Sequence, residues 1–146
     1  MSECSIRVMC ISDYDAVISL MQQTEGVRIR DADAHDATRR YLERNPGMSF
    51  LAEVGGSIVG CAMSGHDGRR GYLQHVLVLP AYRKRGIARR LVSACLKELK
   101  RQGIEKVHLD VLEDNAAGQR FWQQLGWQRR TDIVKYSLVL GDSANA

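Results

Sequence analysis

Arg83-Lys84-Arg85-Gly86-Ile87-Ala88, followed at once by Arg89, packs cations around a glycine in a single short stretch. An apolar run, Val76-Leu77-Val78-Leu79, precedes it and reads as a buried strand that Pro80 stops, because proline cannot donate to a sheet ladder. Apolar residues follow at Ile87, Leu91, Cys95 and Leu99 and at Ala88, Val92 and Leu96. These are two adjacent i, i+4 rows, the mark of a helix with one buried stripe. Gly103 stands where a glycine would end it. A strand, a basic turn and a helix entered through glycine form an anion site in physical terms. The first helical turn carries unpaired N–H groups and a partial positive charge, and the flanking guanidinium groups add to it. A phosphate or pyrophosphate fits that chemistry; a solvated basic turn is the alternative.

The elements that would position this turn can be read in order. Ile6 to Met9 reads as a strand, and Ser12 with Asp13 and Asp15 as a helix start, with Ala16 to Met21 on its buried face. Thr24 to Asp36 shows no periodicity, and a short helix follows over 36–44, closed by Asn45-Pro46-Gly47. Residues 49–54 and 57–64 read as a hairpin turning at Gly55-Gly56, and 65–71 turn the chain into the central strand. After the long helix, 106–111 alternates as a strand. Asn115 or Asp114 caps a helix that runs to Leu125, and 128–130 with 133–140 read as a closing strand pair. That order predicts an α+β fold with a mixed sheet.

The 146 residues predict one domain, with a core over about 5–140. A net charge of +4 favours an anionic ligand without arguing for nucleic acid, and no apolar run is long enough to span a membrane. Cys4, Cys10, Cys61 and Cys95 have no metal-ligand spacing, so no metal is expected. The start, MSECSIRVMC, lacks the long apolar segment of a secretory signal. A reducing, cytoplasmic setting is the expectation.

Arg83-x-x-Gly86-x-Ala88 after a strand ending in proline resembles the Gln/Arg-x-x-Gly-x-Gly/Ala signature of the GNAT superfamily, the acetyl-CoA-dependent N-acetyltransferases. A second segment agrees. Asn115-x-x-Gly118-x-Arg120-Phe121-Trp122-x-x-Leu125-Gly126-Trp127 is similar to the later N-x-x-A-x-x-x-Y-x-x-x-G-F/Y stretch of that family. The turn at Gly65 to Gly71 resembles a subgroup of small bacterial acetyltransferases with ill-defined substrates, the YpeA-like proteins.

The resemblance implies a twisted, mostly antiparallel sheet with flanking helices and a bulged central strand that splits from its neighbour in a V. It implies acetyl-CoA as co-substrate and transfer of the acetyl group directly to a primary amine of a small molecule or peptide. The backbone of Leu77 and Val78 would pair with the pantetheine arm. The amides of Arg83, Lys84, Arg85, Gly86, Ile87 and Ala88 would cradle the pyrophosphate, with Arg89 in reach of a phosphate. Asn115 and Trp122 match cofactor-contacting positions, and the Val78 amide would donate to the thioester oxyanion.

A base must take the amine's proton. Asp110 is the first choice, on the far lip of the slot, with Glu113 and His75 as alternatives. Many relatives carry tyrosine, the thiolate's acid, where this chain has Trp122, and an indole cannot act as an acid. Tyr136, or else Tyr82, would substitute. Substrate choice is expected to lie in Thr24 to Arg44, where Glu25, Arg28, Arg30, Asp31 and Asp33 mix signs, and in the turns at 65–71 and 129–132. A homodimer is compatible with this picture, and a catalytically weak acyl-CoA-binding regulatory module is the alternative function. Nucleic-acid binding lacks a stacking series or recognition motif.

Overall fold

A computed structural model of the chain describes residues 3–146; Met1 and Ser2, the start of the expected domain, lie outside the described residues. The chain divides into two compact units, one ending at His108 and the other spanning Leu109–Ala146.

The first unit is built on a five-stranded sheet in the order β1-β2-β3-β4-β5. Its strands are β1 (Cys4–Val8), β2 (Phe50–Val54), β3 (Ser57–His66), β4 (Gly71–Val78) and β5 (Val107–His108). The first four pair antiparallel, and β5 joins β4 parallel. The mixed α+β fold is therefore as expected.

Successive side chains on a strand face opposite ways, so each strand feeds two layers. On one face Leu51, Cys61 and Met63 meet Met9, Val17, Leu20 and Met21, packed against by Tyr41 and Leu42. The helical members of this layer come from α1 (Tyr14–Gln23) and α2 (His35–Arg44). On the other face lies α3 (Ile87–Arg101), which buries Ile87, Leu91, Val92, Cys95 and Leu99 along the stripe its sequence periodicity marks. Each buried leucine contributes about 1.5–3 kcal/mol. Glycine at 60 makes this contact close: a Cβ there would stand 2.9 Å from the Leu77 carbonyl oxygen and 3.3 Å from Leu91 Cδ1.

The long helix begins and ends where its glycines stand, with Gly86 as N-cap and Gly103 at φ +85°. The parallel strand is shorter than the 106–111 expected. Its ladder has two residue pairs, Gly71↔Val107 and Tyr72↔His108, and β5 ends there. Residues 73–78 of β4 have no ladder partner on that edge among the described residues.

The second unit holds α4 (Ala116–Gln124). The expected closing strand pair is not formed: no strand follows β5 among the described residues. Residues 133–140 alternate as a strand should, but Tyr136, Leu138 and Leu140 are 91%, 85% and 95% exposed. A strand is stable only where a neighbour takes up its backbone groups. Among the described residues no helix is long and apolar enough to cross a membrane.

Candidate active site

After Val78 the chain makes one 3-10 turn, Pro80–Tyr82, and enters the basic stretch. Lys84 (φ +62°) and Gly86 (φ +77°) both take left-handed backbone. Gly86 is glycine for that reason rather than for crowding, since a Cβ there would meet nothing within 4 Å. The outcome is an open row of donors: the backbone amides of residues 84–89 bond to no group among the described residues.

The cations around this row divide by what they touch. Arg83 Nε donates to the Val78 carbonyl at 2.9 Å, tying the turn to the end of β4. Arg85 lies 5.3 Å from the centre of the Tyr82 ring, a cation–π distance. Arg90 donates to the Cys4 carbonyl. Lys84 and Arg89 have no partner among the described residues. Two cations and a row of free amides at a helix N-terminus fit the phosphates of a nucleotide.

The residue before this stretch of β4 is unusual. Cys61 pairs with Leu77 but Met63 pairs with Gln74, so His75 and Val76 together oppose Ala62 in a bulge. His75 sits at φ +50°, a conformation costing a residue with a Cβ about 1–2 kcal/mol. Two contacts hold it: the Cys61 thiol donates to the His75 carbonyl at 3.2 Å, and His75 Nε2 is 2.7 Å from Asp33 Oδ1.

Asp33 is itself fixed. It closes a 3-10 turn, Asp31–Asp33, and its Oδ2 accepts from the Arg30 amide at 2.8 Å. Its carbonyl accepts from the Tyr14 hydroxyl at 2.6 Å. An ionised carboxylate only accepts, so Nε2 of a neutral His75 donates, and Nδ1 keeps the lone pair. Nδ1 has no partner among the described residues.

Beside the bulge opens a cavity of about 580 Å³. Helix α2 gives it Ala37, Arg40, Tyr41 and Arg44, which share one face by their i, i+3, i+4, i+7 spacing. The loop before α2 gives Arg28, Arg30 and Asp33, and the sheet gives Met63, Gln74 and His75. Tyr41 Oη is buried without a hydrogen-bond partner among the described residues, and burial pushes its phenol well above the ordinary value.

In the second unit, Asp110 lies beyond the strand expected to carry it and is ion-paired with Lys135. Asn115 is the expected cap: its Oδ1 accepts from the Gly118 amide at 2.9 Å. Trp122 meets Phe121 and Trp127 edge to face, with ring centres 5.0 and 5.1 Å away. Tyr136 is 91% exposed.

Leu77, Val78 and residues 83–89 lie together at one end of β4, whereas Asp110, Asn115, Trp122 and Tyr136 belong to the second unit. In the sequence His75 is a candidate with no visible partner, and neither Tyr41 nor the convergence of the arginines is foreseen. The spacing of Arg40, Tyr41 and Arg44 is the available signal.

A central strand unpaired on one edge beyond Tyr72, a bulge in that strand and an amide-lined turn entering a long helix are the frame of a nucleotide-thioester acyltransferase. The model of the acetyltransferase (GNAT) family matches residues 14–127, and the chain belongs to that family. It is 37% identical over 123 residues to an acetyltransferase of Pectobacterium atrosepticum, covering 84% of this chain and 86% of that one. Among solved structures, the aminoglycoside N-acetyltransferase AAC(6′)-Iy in complex with CoA superposes with a TM-score of 0.75 at 24% identity, over 94% of this chain and 96% of that one. The ribosomal-protein-S18-alanine N-acetyltransferase of Escherichia coli does so with a TM-score of 0.74 at 21% identity, over 88% and 80%. The protein is an acetyl-CoA-dependent N-acetyltransferase, with acetyl-CoA as co-substrate.

Proposed function

We propose that this enzyme moves the acetyl group directly from the CoA thioester to the primary amine of a small molecule or peptide, with the reaction centred at the bulge of β4. The observation that carries the reading is the continuity of parts there. The unpaired edge of β4 at Leu77 and Val78 leads into the open amides of residues 84–89, with Lys84 and Arg89 free beside them.

Leu77 and Val78 would take the pantetheine arm as an added strand, and the amides from 84 to 89 would take the pyrophosphate. From the second unit, Asn115 and Trp122 are proposed as further cofactor contacts. The Val78 amide would donate to the thioester oxygen as negative charge develops on it.

Amine attack needs a free nitrogen lone pair, so a group must accept the ammonium proton. His75 is suited to accept it, because its Nδ1 is free while Asp33 fixes the ring and stabilises the imidazolium that forms. Asp110, ion-paired with Lys135, is the second candidate. As the nitrogen–carbon bond forms and the carbon–sulfur bond breaks, the departing thiolate takes a proton, for which Tyr136 is the proposed donor. AAC(6′)-Iy has been solved with the bisubstrate analog CoA-S-monomethyl-acetylneamine, and is 25% identical to this chain. An aminoglycoside acceptor is not carried over with the likeness, because four arginines line the cavity beside His75.

Thiol release from acetyl-CoA across an amine panel tests the reaction. Ala88→Asp should abolish CoA affinity in calorimetry. His75→Gln should lower kcat about 100-fold with CoA affinity unchanged, the scale of a lost general base. Should Asp110→Asn cost more than His75→Gln, Asp110 is the base and the present assignment is wrong.

A further inference from the structure

We infer that the acceptor amine itself carries a carboxylate or phosphate group, bound in the cavity between α2 and the β4 bulge. The inference rests on the acetyl-transfer reading for its amine, but on separate residues for its charge.

Arg28, Arg30, Arg40 and Arg44 all line this cavity, against the single carboxylate of Asp33. Asp33 bonds to His75 and the Arg30 amide rather than to a guanidinium group, and its one charge offsets only one of the four. None of the ion pairs seen among the described residues involves any of the four. Arg39, on the next face of α2, does lie near Asp36, at 3.7 Å, so the lack of partners belongs to the cavity side rather than to the helix. A cleft lined by one sign of charge concentrates counter-ions. Guanidinium forks in particular match the geometry of carboxylate and phosphate oxygens.

The arginines line a space of about 580 Å³, which is the size range of small-molecule sites. His75 lines the same space and leaves its Nδ1 free for the amine's proton. An anionic amine would therefore present its acid group to the arginines and its nitrogen to His75. A diamine or other polycation would meet like charge.

Two kinds of experiment test this. In the first, matched amines are compared as acceptors: an amino acid with its amide, and ethanolamine phosphate with ethanolamine. The anionic member of at least one pair should have a kcat/KM about tenfold or more higher, and which pair responds distinguishes carboxylate from phosphate. Arg40→Gln/Arg44→Gln should erase that preference, lowering kcat/KM for the anionic member about tenfold or more beyond any change for the neutral one.

The second measures binding without turnover: calorimetry of succinate and of inorganic phosphate with the CoA-saturated protein. One of the two should bind, and the double arginine variant should weaken it about tenfold or more. Equal rates for anionic and neutral members, or arginine variants that slow both alike, overturn the proposal while leaving acetyl transfer intact. Loss of CoA binding or of thiol release with every amine would instead sink the acetyl-transfer reading. Failure of both probe anions to bind would then sink this one as well.

Discussion

The cysteines show how much environment alone separates chemically identical groups. Cys10 is exposed and Cys4 half-buried, whereas Cys61 and Cys95 are buried, which pushes their thiols up to about 12 and about 11. Only the thiolate is nucleophilic. A thiol reagent at pH 8 should therefore count two cysteines in the native protein and four after unfolding; a third native count would mean that the bulge, whose carbonyl Cys61 holds, opens readily. At this scale the sequence reveals composition better than pairing. Asn115 is legible as a cap because its partner lies three residues away. His75 and Asp33 are 42 residues apart, and no local pattern marks either as the other's partner. Asp110 is the better base on sequence alone because a strand is expected beneath it, and the ion pair with Lys135 cannot be foreseen.

Among the elements, the turn from β1 into α1 is secured by charge. Arg7 donates to Asp13 at 2.8 and 2.9 Å and also bonds Glu53 on β2, while Asp13 accepts from the Cys10 amide. The guanidinium holds the Asp13 carboxyl below its ordinary value of 3.8. A depressed carboxylate stabilises the fold above its unfolded pKa, and that stabilisation is lost as pH falls through the folded one. Asp13→Asn should therefore cost about 1 kcal/mol at neutral pH, the scale of a part-exposed ion pair. Urea melts should show the gap to the parent protein closing below pH 3.8; a gap that stays constant in acid would refute the linkage. Elements with their own periodicity, such as α3, are readable from sequence to within a residue or two. The 133–140 segment is the counterexample, because alternation supplies a strand's pattern but not its partner.

For the molecule as a whole, a net charge of +4 is concentrated where anions are expected, at the α3 turn and in the arginine-lined cavity. Screening lengths fall from about 14 to about 6 Å between 50 and 300 mM salt. The KM for acetyl-CoA should rise several-fold over that range with little change in kcat, and a flat KM would mean that Lys84 and Arg89 contribute nothing to capture. The left-handed backbone of His75 bears on the integrity of the entire fold. In ordinary strands alanine is more stable than glycine, but here His75→Gly should exceed His75→Ala by about 1 kcal/mol in thermal melts, since only glycine accepts that geometry freely. Selection for heat resistance alone would thus drift toward glycine at this position, and a lineage that followed the gradient would become hardier as it lost its chemistry.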